Sequence, residues 1–418
     1  MHRREFEIVA TGEELLLGMT ADSNSTFIAQ RAASVGWSLA RITVVGDAED
    51  RIAEALREAL ARRNIVVVTG GLGPTEDDRT RFAAAKVFLR PIVTSNPSLE
   101  RLREFWSRRG RPMPETNVRQ AQFPEGAQVW PNPVGTADGF RCSDPQRGEA
   151  VFVPGVPREA KELCERYILP WLAGMAEGTH VAQHQARLFG LAESEVAETL
   201  SDWPPPESGV MLIYGPEFPE IKLTLAASAP SADIAQARVA EARDALRAKL
   251  GPYIFSEDGR DLPGTVAHWL TQSRRTLALA ESCTGGLIAK LLTDVPGSSA
   301  FLREGCVTYS NEAKIARLGV RAETIATHGA VSAQCAMEMA EGALRTSGAD
   351  LALAVTGIAG PDGGTVDKPV GTVHVALAET GRDTQHAHQV FRVGRDWVRR
   401  LTAHYALNML RRRVIELL

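Results

Sequence analysis

The sequence predicts an α/β protein: two three-layer α/β domains, the first a doubly wound sheet, joined by a small α+β unit. Three observations carry that prediction. The 418 residues exceed what one hydrophobic core organises. Near both ends, short apolar runs alternate with amphipathic stretches, the βαβ rhythm of a parallel sheet covered by helices on both faces. Between them the pattern changes to strands and helices in an order that does not repeat. The expected divisions are 1–172, 173–257 and 258–418.

Bulk properties narrow the function classes. Hydrophobic residues make up 44% and charged residues 23%, as in ordinary soluble proteins. A net charge of −4 gives no sign of a nucleic-acid partner or an anionic membrane. No apolar run approaches the roughly 20 residues that span a bilayer, and the opening MHRRE lacks an apolar signal core. The five cysteines show neither CxxC nor Cys/His ligand spacing, which fits a reducing cytoplasm and argues against structural zinc.

In the first domain, strands are expected at 6–10, 42–45 and 65–69, with helices at about 24–36 and 50–62. Ligands of such folds bind at the carboxyl ends of strands, where two unusual loops fall. TGEE (11–14) follows the first strand, and TGGLGPTEDD (69–78) follows the Val-rich third. Gly70, Gly71 and Gly73 let the backbone turn its N–H groups towards a phosphate, with Thr75 beside them. Asp77 and Asp78 suit a divalent cation, although acidic residues also favour a helix's first turn. The spacing is neither a Walker loop nor GxGxxG, which argues against a kinase or dinucleotide dehydrogenase. Further on, the run 131–139 and the strand 150–153 lead into rigid Gly/Pro loops, where Asn132, Thr136 and Arg158 can reach a ligand.

The middle segment reads strand (186–189), helix (193–203), strand (210–214), strand (221–226), helix (232–250), strand (253–256). It holds no cluster of catalytic groups and is expected to be a spacer or oligomerisation unit. Its pattern is similar to RNA-binding modules, but it has no GXXG loop and little positive charge.

The third domain repeats the strand-then-glycine design. The run LALA (277–280) leads through Glu281 and Ser282 into Cys283, Thr284, Gly285 and Gly286, then a helix. Two readings of Ser282 are open: a nucleophile beside helix N–H groups, or a helix cap shared with Thr284. A strand ending at Tyr309 and a helix starting near Asn311 bring Tyr309 and Lys314 to the same edge. A desolvated lysine can act as the base towards serine. The Tyr–Lys offset of five is not the dehydrogenase spacing of four. The strand 350–355 ends in TGIAGPDGG, and the last helix, from 396 to Leu417, carries a core stripe at Val398, Leu401, Tyr405 and Met409. Arg395, Arg399 and Arg400 open that helix.

With these residues set out, the chain resembles the competence/damage-inducible protein A (CinA) family. The matching runs are TGEELLLG, VVGD, TGGLGPTEDD, NPVGTADGF and VPGVPRE in the first domain. In the last they are AESCTGG, VPGSSAF, VTYSNEAK, HGAVS, VTGIAGPDGG and KPVGTV. The resemblance implies a first domain similar to molybdopterin-binding domains, with metal-dependent ADP-ribose pyrophosphatase activity. It implies a last domain that is a nicotinamide-nucleotide amidase, converting nicotinamide mononucleotide to nicotinate mononucleotide and ammonia without a metal.

Carried over, Ser282 is the nucleophile, Lys314 the base and Tyr309 its assistant. Thr356, Gly285, Gly286, Gly357, Arg399 and, as second choice, Arg395 bind substrate. In the first domain Gly70, Gly71, Gly73, Thr75 and Asn132 bind phosphate. Asp78, then Asp77, holds a divalent metal ion. TGEELLLG has two glutamates where many members have one, so Glu13 and Glu14 both compete to face that site. Cys283 is the rival nucleophile. The first domain has a second reading, a non-catalytic pterin- or nucleotide-binding module. A DNA adaptor, suggested by the family name alone, finds no support in the charge. The expected partners are small nucleotides and a second copy of the chain in a dimer, with no membrane and no nucleic acid.

Overall fold

The computed structural model describes residues 4–175, 178 and 180–416. Residues 1–3 of the expected first domain, and Leu417 at the expected end of the last helix, lie outside the described residues. The chain divides into two compact units. One runs to Gln183 and includes Ala227–Arg238; the other comprises His184–Ala226 and the chain from Val239.

The first unit is built on a six-stranded sheet. Its order is Trp37–Val45, Arg4–Thr11, Ile65–Thr69, Gly148–Val153, Gly139–Asp144, Gln128–Trp130. The first four strands run parallel, as the alternating pattern predicts. The last two pairings are antiparallel: Gly139–Asp144 reverses direction because residues 145–147 are too few for the crossover that a parallel neighbour requires, and Gln128–Trp130 reverses again. Alternate side chains feed two cores. Val9, Val66, Val68 and Phe152 pack under the helices Glu49–Arg62 and Thr80–Phe88. Phe6, Ile8, Val67 and Val151 pack on the other face with Ile28 and Leu163. Because parallel strands covered on both faces are buried on both, IVVV carries no polar alternation.

The middle residues form a four-stranded sheet, Val210–Glu217, Glu220–Ala229, His180–Leu188, Ile254–Ser256. The helices Glu193–Thr199 and Ala232–Leu250 accompany it.

The second unit holds a five-stranded sheet in the order Leu302–Val307, Leu277–Glu281, Leu351–Gly357, Thr372–Glu379, Gln385–Val390. The first three strands are parallel and the last two antiparallel. Here LALA and LALAV have a direct meaning. Leu277, Leu279, Leu353 and Val355 face the last helix, Arg395–Glu416, through Ala403, Leu407 and Leu410. Ala278, Ala280, Ala352 and Ala354 face the helix Ala333–Ser347, through Ala336, Met339 and Ala340. Small residues on both partners let that helix lie close to the sheet. The expected stripe on the last helix is shifted: Val398 is buried, but the core is completed by Ala403, Ala406, Leu407 and Leu410, while Tyr405 and Met409 pack at its margin.

Candidate active site

The strand Leu277–Glu281 ends one residue before Ser282, whose N–H donates to the Val355 carbonyl of the next strand at 3.0 Å. Gly285 and Gly286 then adopt φ of +59° and +90°, which a side chain would strain. The chain turns there into the helix Leu287–Thr293.

Neither Ser282 nor Thr284 caps that helix. Glu281, 1% exposed, supplies the acceptor. Its Oε2 accepts from the N–H of Gly286 at 3.0 Å, the N–H of Ile288 at 3.1 Å and the Thr284 hydroxyl at 2.6 Å. Its Oε1 accepts from the N–H of Ala289 at 2.8 Å. A buried carboxylate is stable there because four donors replace its water and the helix terminus is positive. Ser282 is thereby released from the capping role that competed for it. The same bonds narrow the expected oxyanion donors: Gly286 is spent on Glu281, and the Gly285 N–H donates to Ser282 O at 3.0 Å. In that turn the N–H groups of Cys283 and Thr284 go to no backbone carbonyl or carboxylate among the described residues; both face the Cys283 sulfur.

Lys314 is the second component. Ser310 caps the helix Asn311–Leu318, accepting from Ala313 N–H at 3.1 Å, and one turn in sits Lys314, 1% exposed. Its Nζ lies 3.1 Å from Ser282 Oγ, 2.8 Å from Thr308 O and 3.2 Å from Tyr309 O. Burial pushes this amine below the ordinary lysine range, against the thiols of Cys335 and Cys283 and the Glu312 carboxylate, which pull it back. A neutral amine has two N–H bonds and one lone pair. In the ammonium form Nζ donates to all three oxygens; once the proton is lost, the two carbonyls accept the two remaining N–H bonds and the lone pair faces the Ser282 hydroxyl.

The expected assistant, Tyr309, contributes through its backbone. Its phenol is 60% exposed and accepts from Arg395 Nη2 at 3.1 Å, while its carbonyl holds Lys314. Arg395 also donates to Gly360 O at 2.6 Å. Arg399 is half-buried and turned inward, with Nη2 on Thr284 O at 2.8 Å. Thr356, fully buried beside the strand end, donates to Ala330 O at 2.9 Å and so ties down the loop before Ala333–Ser347. Gly357 lies against Thr372 and Val373 of the neighbouring strand, where a Cβ would collide. Cys283 is packed with Ala359, Val373 and Val398, and burial pushes its thiol up to about 12. A thiol that resists ionisation is a poor nucleophile. Sequence reasoning missed Glu281 and Thr308, because a carboxylate inside an apolar strand and a backbone acceptor leave no motif of their own.

The first unit uses its glycine loop differently. Asp78 folds back on the loop: Oδ1 accepts from Gly73 N–H at 2.6 Å, and Oδ2 from Thr75 N–H at 2.8 Å and Thr75 Oγ1 at 2.5 Å. Gly70 donates to Val153 O, and Gly71 O accepts from Thr80 N–H. Asn132 is buried and occupied by its own loop and by Glu159. Asp77 is exposed. Asp47, which accepts from Glu13 N–H, has its carboxyl pushed up by burial and then by Glu14, Asp77 and Glu13. Both Glu13 and Glu14 thus belong to this acidic group. Among the described residues no three or more His, Cys, Asp or Glu side chains are placed to hold a metal ion. With Asp78 committed to its loop, the residues as arranged do not compose the expected ligand set.

A two-unit α/β chain with a buried Ser–Lys pair at one sheet edge and a glycine loop at another defines a class, and its relatives define the family. Three family models match: "CinA C-terminal domain" over residues 260–414, "Probable molybdopterin binding domain" over 7–174, and "Damage-inducible protein CinA KH domain" over 183–256. The last of these assigns a KH-type module to the segment read as a spacer. A CinA-like protein of Citrifermentans bemidjiense is 45% identical over 97% of this chain and 96% of its own. A putative competence-damage inducible protein of Symbiobacterium thermophilum is 41% identical over 97% and 98%. The solved competence/damage inducible protein CihA of Agrobacterium tumefaciens is 47% identical, covering 36% of this chain and 91% of its own, with a TM-score of 0.35. The chain belongs to the CinA family. Among the described residues no helix is long and apolar enough to cross a membrane.

Proposed function

We propose that the second unit hydrolyses the carboxamide of nicotinamide mononucleotide, giving nicotinate mononucleotide and ammonia. The single observation that supports this reading is the buried Lys314 amine 3.1 Å from Ser282 Oγ, steered by two backbone carbonyls. Lys314 takes the Ser282 proton as the oxygen attacks the carboxamide carbon. The N–H groups of Cys283 and Thr284 meet the developing oxyanion. The proton on Lys314 passes to the departing nitrogen, ammonia leaves, and water, deprotonated by the same amine, hydrolyses the acyl-serine. Arg395, exposed beside the Tyr309 hydroxyl, is better placed than Arg399 to meet the substrate phosphate. The test is ammonia release from nicotinamide mononucleotide by the purified full chain. Ser282→Ala is expected to abolish it, and a Ser282→Ala protein that still releases ammonia would overturn the assignment.

For the first unit we favour a phosphate-binding pterin or nucleotide module over a pyrophosphatase, because Asp78 closes its own loop. Incubation with ADP-ribose and a divalent cation, with and without chelator, decides it. Chelator-sensitive release of AMP would overturn the binding-module reading in favour of the hydrolase. The proposed setting is cytoplasmic, with the chain as a homodimer.

A further inference from the structure

Three hydroxyl-bearing residues stand abreast at the carboxyl edge of the second unit's sheet, and the hydroxyl of one of them is left without a partner. Cys306 pairs with Ala280, and Ala280 with Ala354. Two residues further on, the same register sets Thr308, Ser282 and Thr356 side by side. Thr308 N–H donates to Glu281 O at 2.8 Å, and Ser282 N–H to Val355 O at 3.0 Å. Ala280 and Ala354 face the helix Ala333–Ser347, and Cys306 packs against the same cluster, so the period of two turns all three hydroxyls to that face. Thr356 is bonded to Ala330 O, and Ser282 Oγ lies 3.1 Å from Lys314 Nζ. The Thr308 hydroxyl is buried and has no hydrogen-bond partner among the described residues. We propose that Thr308 Oγ1 positions the water that hydrolyses the acyl-serine, an inference that rests on the amidase reading.

Exposure along the chain shows where the side chain goes. Val307 and Tyr309 are 50% and 60% exposed, whereas Thr308 between them is 1% exposed. Its hydroxyl is therefore turned into the protein beside Lys314, whose Nζ donates to the Thr308 carbonyl at 2.8 Å. A buried hydroxyl ordinarily finds a donor or an acceptor. Ser282 and Thr356 find theirs within the protein, and Thr308 is left to a group that arrives from solution. The one step of the reaction that needs a solvent molecule beside Lys314 is deacylation.

That step balances without a further reactant. Once ammonia has carried its proton away, Lys314 is neutral, with its two N–H bonds on Thr308 O and Tyr309 O. Water gives one proton to the lone pair as its oxygen attacks the acyl carbon. Its other O–H donates to Thr308 Oγ1, which fixes the direction of the attacking lone pair. The tetrahedral adduct then breaks its bond to Ser282 Oγ, Ser282 recovers the proton from Lys314, and nicotinate mononucleotide leaves. Acylation uses no water and so does not draw on Thr308.

The experiment compares full-length wild type, Thr308→Val and Thr308→Ser on nicotinamide mononucleotide, by rapid-quench ammonia measurement and intact-protein mass. Valine keeps the carbonyl and the volume and removes the hydroxyl. Thr308→Val is expected to release one ammonia per chain in a burst and then turn over up to about 10²-fold more slowly, the scale of a misplaced reactant. The acyl adduct should accumulate on Ser282. Serine is expected to restore the wild-type rate and abolish the burst. Thr308→Ala carries the same expectation as valine and is read if the valine variant does not fold. With the wild type active, an unchanged kcat in the folded valine variant, slowing without an acyl adduct, or no rescue by serine would overturn the role of Thr308 and leave the amidase reading intact. A wild type that releases no ammonia would sink the amidase reading, and this inference with it.

Discussion

Two glycine loops, one in each unit, follow a buried parallel strand and open into a helix, yet they handle their carboxylates in opposite ways. In TGGLGPTEDD the acid comes after the glycines, and Asp78 reaches back to bind Gly73 and Thr75. In ESCTGG the acid comes before them, and Glu281 reaches forward to the N–H groups of Gly286, Ile288 and Ala289. The first arrangement closes a half-exposed loop on itself. The second fixes the turn from inside and leaves a hydroxyl free beside a buried amine. Glycines make either turn possible; the position of the carboxylate and the depth of its burial decide what the turn offers.

The largest expected effect tests the amine. Lys314→Met should lower the rate of ammonia release by about 10²–10⁴-fold, the usual worth of a general base. In the wild type, activity should rise with pH as Lys314 loses its proton and level off below the pH at which an ordinary lysine titrates, because its pKa is lowered. A plateau only at ordinary lysine pH would break the assignment. The stability sign follows. The folded chain gives up this proton more easily than the unfolded one, so Lys314 costs stability below its folded pKa. That cost fades as pH rises towards the unfolded value. Urea unfolding of wild type and Lys314→Met as a function of pH would show the difference between them shrinking over that window.

Next comes the contrast between the carboxylates. Glu281→Ala strands three N–H groups and a buried hydroxyl and should cost about 1–3 kcal/mol or more in urea unfolding. Asp78→Ala removes a half-exposed loop tie and should cost about 0.5–2 kcal/mol, the scale of a lost cap. If Asp78→Ala were the more destabilising, the contrast would be reversed. The smallest effect is Cys283→Ala, for which ammonia release should persist and only about 1 kcal/mol of packing should be lost. Loss of turnover in that variant, with the fold intact, would return the nucleophile to Cys283.

Much of this was legible along the chain. The strand Ile65–Thr69 stands where an uninterrupted Val-rich run placed it, and Ser282 and Lys314 meet as their strand-end positions implied. Other assignments went astray for identifiable reasons. Tyr309 was expected to end its strand and assist Lys314, but the strand ends at Val307, and it is the Tyr309 carbonyl that holds Lys314 while the phenol meets Arg395. Asp78 was expected to face a cation, but its nearest donors are three and five residues away in its own loop.

What the sequence by itself determined was periodicity and punctuation: which runs are strands, where glycines let the chain turn, and which family the chain belongs to. These are local properties, set by side-chain spacing and backbone sterics. Only the tertiary structure decided which acceptor each buried donor found. Glu281 lies in the sequence beside Ser282, but its partners are the N–H groups of a helix that exists only once the turn has formed. Lys314 is 32 residues from Ser282. Its lowered pKa comes from burial, which no spacing encodes.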